Sequence, residues 1–427
     1  MSSTTARSIT RRPSRARSRL PASTPGRLVA LALLSVLALI PVCALSVVMA
    51  DRSRATTAEL RDRRIPAVLA LDQAAAALTE ADRATATSLV SGAFSLTGPG
   101  QDYQDAVKRA NRYLNVATDL HRDDPKARAQ LTGINALVVE YTIMVGLAQT
   151  GGDGPLSLAN VFYASDLRRS IVAGLYAQRG TDLDEIRAAR STWWVGTYVA
   201  VPFGATAFLA LLLLLFAHRY VRRRFRRRTS PPLLLGAAAL AALIVWTVLH
   251  AQTTHDRLVE ATGRGVTGQS ALWQARTAVH EVVGSTALDL ASGGVPRTSD
   301  EQAGPTRQVL AKPLPAAGER ALTALGALRE AEKRARAETP PGGTRDGGAG
   351  AATVTGRSPE RMSGAADDAE AALADALITG RRETDAALAE AADDGGLTVG
   401  GPAMCAGVLV LALAGVLVRR FEYGGLR

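Results

Sequence analysis

The sequence is poor in the residues on which soluble enzymes and disulfide-stabilised domains depend. It has two cysteines, five histidines and 4% aromatic residues among 427 residues. Cys43 and Cys405 both lie in long apolar runs, which excludes an exterior disulfide framework and favours a packing role. His250 and His255 are five positions apart, so their rings diverge on a helix, whereas a metal-binding pair prefers positions i and i+4.

Motifs that carry chemistry are also missing. The sequence contains no phosphate-cradling loop, no nucleophile elbow and no zinc-protease motif. Alanines separate the carboxylates of Asp367, Asp368, Glu370 and Asp375, which is typical of a solvated helix face. The sequence therefore predicts a protein that is not an enzyme, with no catalytic residue, no metal ligand and no cofactor.

Four long apolar runs contain no charged residue. Each is long enough for a helix to cross about 30 Å of hydrocarbon, so four transmembrane helices are predicted. A cleaved signal peptide is the alternative for the first run, but the apolar core of a signal peptide is usually about 7–15 residues long. The runs cover residues 28–49, 193–217, 231–249 and 398–418.

The distribution of charge predicts the orientation in the membrane. The short pieces 1–27, 218–230 and 419–427 together carry a net charge of +16. The long segments 50–192 and 250–397, hereafter the first and second segments, carry net charges of 0 and −5. By the positive-inside rule, both termini and the short link lie in the cytoplasm of a multi-pass cell-membrane protein. The basic composition therefore indicates contact with the lipid bilayer and no nucleic-acid partner.

Both segments are predicted to be helical and extracytoplasmic. The first divides into four amphipathic helices at Gly92–Gly100, Asp123–Pro125 and Gly151–Pro155, which predicts a four-helix bundle. The second is a looser helical module with a mobile loop at 339–358. The predicted fold is an all-α membrane protein with four transmembrane helices and two extracytoplasmic bundles, in a layout repeated twice.

The cytoplasmic pieces are a disordered basic tail, an arginine-rich link and a short C-terminal tail. Juxtamembrane arginines attract anionic lipid, each with about 1 kcal/mol, and they also offer a docking surface to an acidic partner. Thr229, Ser230, Ser14 and Ser18 lie close behind arginines, so their phosphorylation is a hypothesis. The candidate contacts with lipid or a partner are Arg222, Arg223, Arg224, Arg226, Arg227, Arg228, Glu422 and Tyr423.

The layout and the tail residues Arg419, Glu422 and Tyr423 resemble the GlnX-type membrane proteins of actinobacteria. In that family the tail continues from Tyr to Arg, whereas Gly424 follows here. The resemblance implies a signal relay. An amino-acid-binding lipoprotein of the glutamine-binding class would act outside, and a soluble Ser/Thr kinase of the protein kinase G type would act inside.

Two alternatives to the relay stay open. The bundles also resemble the four-helix sensor modules of chemoreceptors, which implies a direct small-molecule receptor. Such a receptor needs polar groups that face inward, for instance near Arg109, Arg112 or Arg168. The second alternative is a scaffold subunit of a transport complex with an ATPase, for which the arginine-dominated link 218–230 would be a poor coupling helix.

Overall fold

The computed structural model describes residues 24–94, 98–151, 155–195, 197–225, 231–292, 318–338, 358–392, 403–411 and 413–414. In these ranges every regular element is helical and no strand occurs. The predicted all-α fold class is therefore confirmed. The helices are α1 (Thr24–Glu59), α2 (Ile65–Val90), α3 (Gly100–Leu120), α4 (Pro125–Thr150), α5 (Pro155–Val195), α6 (Thr197–Phe225), α7 (Pro231–Glu260), α8 (Thr267–Ala291), α9 (Glu319–Glu338) and α10 (Ser358–Ala392).

One succession of elements occurs twice along the chain. The π-helical segment Leu60–Arg64 joins α1 to α2, and the π-helical segment Ala261–Val266 joins α7 to α8. The helices that follow, α2 and α8, have 26 and 25 residues. Because π-helical turns are rare and often mark functional sites, their recurrence at equivalent places extends the repeated layout to the level of individual helices.

The chain divides into two compact units. Unit 1 comprises Met1–Ala50, Thr197–Leu249 and Gly396–Arg427, and unit 2 comprises Asp51–Gly196 and His250–Gly395. The described helices of unit 1 expose large apolar side chains, which is typical of helices that face lipid. Its buried core consists of Leu39, Val42, Phe203, Ala207, Ala210, Leu214, Ala237, Leu240, Leu243, Cys405 and Val408.

Among the described residues, three helices are long and apolar enough to cross a membrane. They are Leu33–Val90, Pro125–Thr150 and Val201–Arg219, and Leu234–Leu249 is a shorter apolar helix. Three of these four helices overlap the spans predicted from the sequence. The exception is Pro125–Thr150, which is helix α4 of unit 2. The position of the spans in a membrane and the orientation of the termini stay predictions.

In unit 2, the helices α2 to α5 of the first segment share one core. The amphipathic character predicted for this part of the chain is confirmed in α4, because Leu131, Ile134, Val138 and Tyr141 lie on one face and are all buried. Full burial of a side chain as large as Leu131 contributes about 1.5–3 kcal/mol.

The break between α3 and α4 also follows the sequence prediction. The carboxylate of Asp124 accepts hydrogen bonds from the backbone amides of Lys126 and Ala127, at 2.9 and 3.1 Å. These bonds cap the N-terminus of α4, and Pro125 occupies the first helical position, where no amide donor is needed.

The second segment forms a core between α8, α9 and α10. The predicted mobile loop at 339–358 lies outside the described residues apart from Ser358, which begins α10. The core of the first segment also takes in Ala287 and Leu288 of α8. The prediction of two separate bundles is not confirmed, because both segments belong to one compact unit.

The helices α2 and α8 pack directly against each other and join the two segments. The close approach depends on small residues: a Cβ atom added to Gly284 of α8 would lie 3.4 Å from the Cα atom of Arg83 in α2. A further apolar cluster draws on both π-helical segments as well as α2, α5 and α10. It comprises Leu60, Ile65, Val68, Ile186, Val266 and Leu388.

Candidate functional site

Charged and hydroxyl side chains line the seam between α2, α5 and α8. Each helix contributes two polar positions about three turns apart: Asp72 and Asp82 on α2, Arg168 and Arg179 on α5, and Ser270 and Glu281 on α8. Because 10 or 11 residues make about three turns of 3.6 residues, both members of each pair lie on one face of their helix. The result is two buried polar layers, hereafter the Arg168 layer and the Arg179 layer.

In the Arg168 layer, a fully enclosed guanidinium lies between two carboxylates. Arg168 donates hydrogen bonds of 2.8 and 2.9 Å to the two oxygens of Glu281. Its Nε atom lies 3.0 Å from Oδ2 of Asp82, which also accepts a 2.9 Å hydrogen bond from Ser165. These contacts join α2 and α5 of the first segment to α8 of the second.

The ionisation of the Arg168 layer reflects a balance between burial and pairing. Burial raises the pKa of Asp82, and the positive charge of Arg168 opposes that rise. For Glu281, burial acts in the same direction, but Arg168 outweighs it and lowers the pKa. Burial alone would lower the pKa of Arg168, and the two carboxylates reverse the shift. Each charge in the layer is therefore stabilised by its partners, and removing one partner would leave the others buried and incompletely paired.

A cavity of about 240 Å³ adjoins the Arg168 layer. Since one water molecule occupies about 30 Å³ in the liquid, the cavity has room for a small organic molecule. Its wall combines charged, hydroxyl and apolar groups, as a specific binding site requires. The lining residues are Asp82, Phe162, Ser165, Asp166, Arg168, Arg169, Glu281, Ser285, Leu288 and Asp289.

The Arg179 layer repeats this arrangement on a smaller scale. Arg179 lies 3.0 Å from Oδ1 of Asp72, and the hydroxyl of Ser270 donates a 2.6 Å hydrogen bond to Oδ2. The guanidinium also lies 5.1 Å from the ring centre of Tyr176. Burial raises the pKa of Asp72 to about 6, against the opposing effects of Arg179 and Ser270.

A buried histidine links α3 to α5. Nδ1 of His121 lies 2.7 Å from the carbonyl oxygen of Ala117, and Nε2 lies 3.0 Å from Asp182, which also accepts a hydrogen bond from Gln178. Both ring nitrogens face acceptors, so the imidazolium form satisfies both contacts. The hydrogen bond to Asp182 raises the pKa of His121, and burial opposes that rise.

The structure describes only some of the residues that the sequence predicts to contact lipid or a partner. Arg222–Arg224 belong to α6, and the side chain of Arg223 is exposed. The other predicted contacts, Arg226, Arg227, Arg228, Glu422 and Tyr423, lie outside the described residues.

The structure separates the three arginines proposed for a direct receptor. Only Arg168 lines the cavity. Arg112 is exposed, and Arg109 is part-exposed and hydrogen-bonded to Glu80.

Sequence reasoning missed most of the buried polar groups. Asp72 and Asp82 interrupt an alanine-rich helix that is buried over most of its surface, and this was the available signal. In the carboxylate cluster, Asp367, Asp368 and Asp375 are exposed as expected, but Glu370 turns inward toward Arg276. Glu370 also belongs, with Glu80 and His280, to the one group of described residues that meets the geometry for holding a metal ion.

Comparison with known proteins adds one match. Residues 56–190 match the family model described as the Actinobacterial sensor domain. No curated protein and no solved structure matches the chain. The matched range holds α2 to α4 and most of α5, and so includes Asp82 and Arg168 but not their partner Glu281. This similarity supports a sensor-type actinobacterial protein and indicates a sensing or signalling role.

Proposed function

We propose that the protein is a multi-pass membrane sensor, without enzymatic activity, that binds a small molecule in the cavity beside Arg168. The observation that carries this proposal is the place of the cavity. It lies where α2, α5 and α8 meet, and its wall includes the ion pairs that hold these helices together. A ligand in this place would act directly on the contact between the two segments.

The response follows from the balance of charges in the Arg168 layer. A ligand that pairs with Arg168, Asp82 or Glu281 changes which packing of the helices is most stable. Packed helices commonly shift by about 1–2 Å between discrete arrangements. The ligand has this effect only if it binds one arrangement more tightly than the other.

The signal would travel along helices that run on from unit 2. The helical run Leu33–Val90 includes α1, the π-helical segment and α2, so a displacement of α2 acts on the predicted first span. In this proposal the segments are extracytoplasmic and both termini are cytoplasmic. The arginines around Arg223, with Glu422 and Tyr423, then present the change to anionic lipid and to a soluble partner, for which a Ser/Thr kinase is proposed.

A cavity-filling variant tests the ligand site. The full chain in lipid nanodiscs would be screened by thermal unfolding against amino acids and small amines. Ser285→Leu fills the cavity without removing a member of the ion pairs, and we expect it to abolish any ligand-induced shift. Ser88→Leu is the control, because Ser88 makes the same hydroxyl-to-carbonyl bond three residues back and does not line the cavity. A compound that binds Ser285→Leu and the native chain equally would contradict the proposal.

A second candidate function is the relay from an amino-acid-binding lipoprotein to a kinase. The observation that favours it is a second, exposed apolar face of α4, where Val139, Ile143 and Leu147 are about half exposed. An exposed apolar face of this kind is typical of a surface that contacts another protein.

The relay predicts recovery of both partners from native membranes. A crosslinked pull-down with mass spectrometry should recover the lipoprotein and the kinase with the native chain. Val139→Asp and Ile143→Asp should lose the lipoprotein, whereas Asn135→Asp, an equally exposed change on the same helix, should retain it. Recovery of neither protein with the native chain would contradict the relay and leave the direct receptor ahead.

A further inference from the structure

A fully buried histidine in α8 lacks hydrogen-bond partners. His280 has an exposed fraction of 0%, and neither Nδ1 nor Nε2 has a hydrogen-bond partner among the described residues. Buried polar atoms in proteins are nearly always paired, because an unpaired one keeps the full cost of losing water. His280 is therefore an unexplained polar group in an otherwise well-packed helix, and it requires a partner.

Two carboxylates converge on this imidazole. Glu80 comes from α2 and Glu370 from α10, and one ligand atom from each of the three residues lies within 4.8 Å of the others. Nε2 of His280 lies 3.9 Å from Oε1 of Glu370. Ligand atoms around a tetrahedral Zn²⁺ ion are about 3.4 Å apart, so modest side-chain rotations bring the three groups into coordinating range.

Arginines contact both carboxylates as well. Arg109 of α3 donates a 2.8 Å hydrogen bond to Oε1 of Glu80, and Arg276 of α8 donates a 2.6 Å hydrogen bond to Oε1 of Glu370. Metal-ligating carboxylates are commonly oriented by such outer hydrogen bonds. Oε2 of Glu370 also lies 3.7 Å from Nη2 of Arg83 in α2, a long contact that a bound ion would have to replace.

The donor set selects the class of ion. The positive charges nearby raise the cost of placing a cation here, and only three protein groups converge, so the ion must bind each of them strongly. Ca²⁺ requires six to eight oxygen ligands, and Mg²⁺ prefers an octahedron of oxygens that includes several waters. Zn²⁺ and its first-row neighbours bind one imidazole and two carboxylates well and keep a position for water.

We propose that Glu80, His280 and Glu370 bind a divalent transition-metal ion of the Zn²⁺ class at the junction of α2, α8 and α10. The ion gives His280 the partner that it lacks and ties the first segment to the second. This site is separate from the cavity beside Arg168, since none of its three ligands lines that cavity. Burial and the neighbouring charges of Arg83, Arg276 and Arg109 lower the pKa of His280, which leaves the neutral imidazole that a metal requires.

Direct metal titration tests the proposal. The full chain would be purified in detergent without a polyhistidine tag, stripped with a chelator and titrated with Zn²⁺ by calorimetry. We expect one ion per chain, and a rise in the unfolding temperature with Zn²⁺ concentration. His280→Gln and Glu370→Gln should each weaken binding at least about tenfold. Asp368→Asn, an exposed change two residues from Glu370, should bind as the native chain does.

A second variant and a spectroscopic measurement keep the result decisive. If His280→Gln fails to fold, Glu80→Gln removes a part-exposed ligand from another helix and should cause the same loss of affinity. Co²⁺ bound to the native chain should show visible absorption bands that these variants lack. Failure of the native chain to bind Zn²⁺ would overturn the proposal, and so would equal binding by the native chain and the ligand variants.

Discussion

Arg168 and Glu281 face each other through two parallel hydrogen bonds, 2.8 Å from Nη1 to Oε2 and 2.9 Å from Nη2 to Oε1. The two residues are 113 positions apart in the chain, and they join α5 of the first segment to α8 of the second. A buried ion pair gains little net stability, because losing water offsets much of the attraction. We expect its main effect to be the selection of one register between the helices.

Removing one member of this pair should lower the free energy of unfolding substantially. Glu281→Leu leaves the guanidinium of Arg168 buried with a single carboxylate, and we expect a loss of about 3 kcal/mol in the free energy of unfolding. Unfolding of the full chain in detergent, followed by circular dichroism, measures this loss. Glu330→Ala is the control, because its ion pair with Lys333 is exposed and its removal should change stability little. Equal losses in the two variants would contradict the assigned role of Glu281.

The paired His121 should make stability depend on pH. Its pKa in the folded protein is raised above the ordinary value of 6.5, so the contribution is fully present below that value. It is lost as the pH rises through the raised pKa. Asp72, whose pKa is about 6, is already ionised above about pH 7 and does not obscure this loss.

Unfolding midpoints measured between about pH 5.5 and 9 test this dependence. The native chain should lose stability over the alkaline part of the range. His121→Gln cannot carry the charge and should show a flatter profile there, with a lower midpoint at the acidic end. A profile that is unchanged by the substitution would show that His121 does not pair with Asp182 as described.

Two glycines in one π-helical segment should respond oppositely to alanine. A Cβ atom added to Gly265 would lie 2.7 Å from Oγ1 and 2.9 Å from Cγ2 of Thr384, a buried and branched side chain that cannot move aside. We expect Gly265→Ala to cost about 1–3 kcal/mol of stability. Gly263, two residues earlier, has no atom within 4 Å of the added Cβ. Gly263→Ala should therefore be neutral or stabilising by up to about 1 kcal/mol. Thermal unfolding of the two variants in parallel decides this, and similar effects would count against the contact.

The only two cysteines of the chain should form a disulfide on oxidation. Cys405 belongs to the buried cluster of unit 1, against which Cys43 packs, and the hydroxyl of Ser46, one turn from Cys43, lies 3.7 Å from the sulfur of Cys405. A membrane-permeant oxidant should crosslink them within one chain, which non-reducing electrophoresis detects after proteolysis between the two positions. Cys43→Ser removes the crosslink and serves as the control. Persistence of both free thiols in the oxidised native chain would argue against this helix contact.

The local features of the fold were accessible to sequence reasoning. The apolar stripe of α4, including Leu131 and Tyr141, follows from spacing alone, because one face of an amphipathic helix must be buried. The stop at Asp124 and Pro125 follows from capping chemistry, which involves neighbours in sequence. Arg168 was among the arginines proposed to face inward, and it does.

The polar seam and the proposed metal ligands could not be predicted from local sequence patterns. Glu370 was expected on a solvated face because its neighbours Asp367 and Asp368 are exposed, and nothing in the local pattern distinguishes it from them. His280 has no informative neighbours in sequence, since Glu80 and Glu370 lie 200 and 90 positions away. Their proximity depends on how α2, α8 and α10 pack.

The sequence by itself determined the helices, the apolar runs and the asymmetry of charge, because propensity, periodicity and capping act over a few residues. Only the tertiary structure decided that the two segments share one compact unit. That outcome depends on the contact between α2 and α8, where Gly284 allows a close backbone approach and Arg168 finds Glu281. Such pairings join residues far apart in the chain. Their free energy depends on burial and on partner geometry, which exist only once the helices have packed.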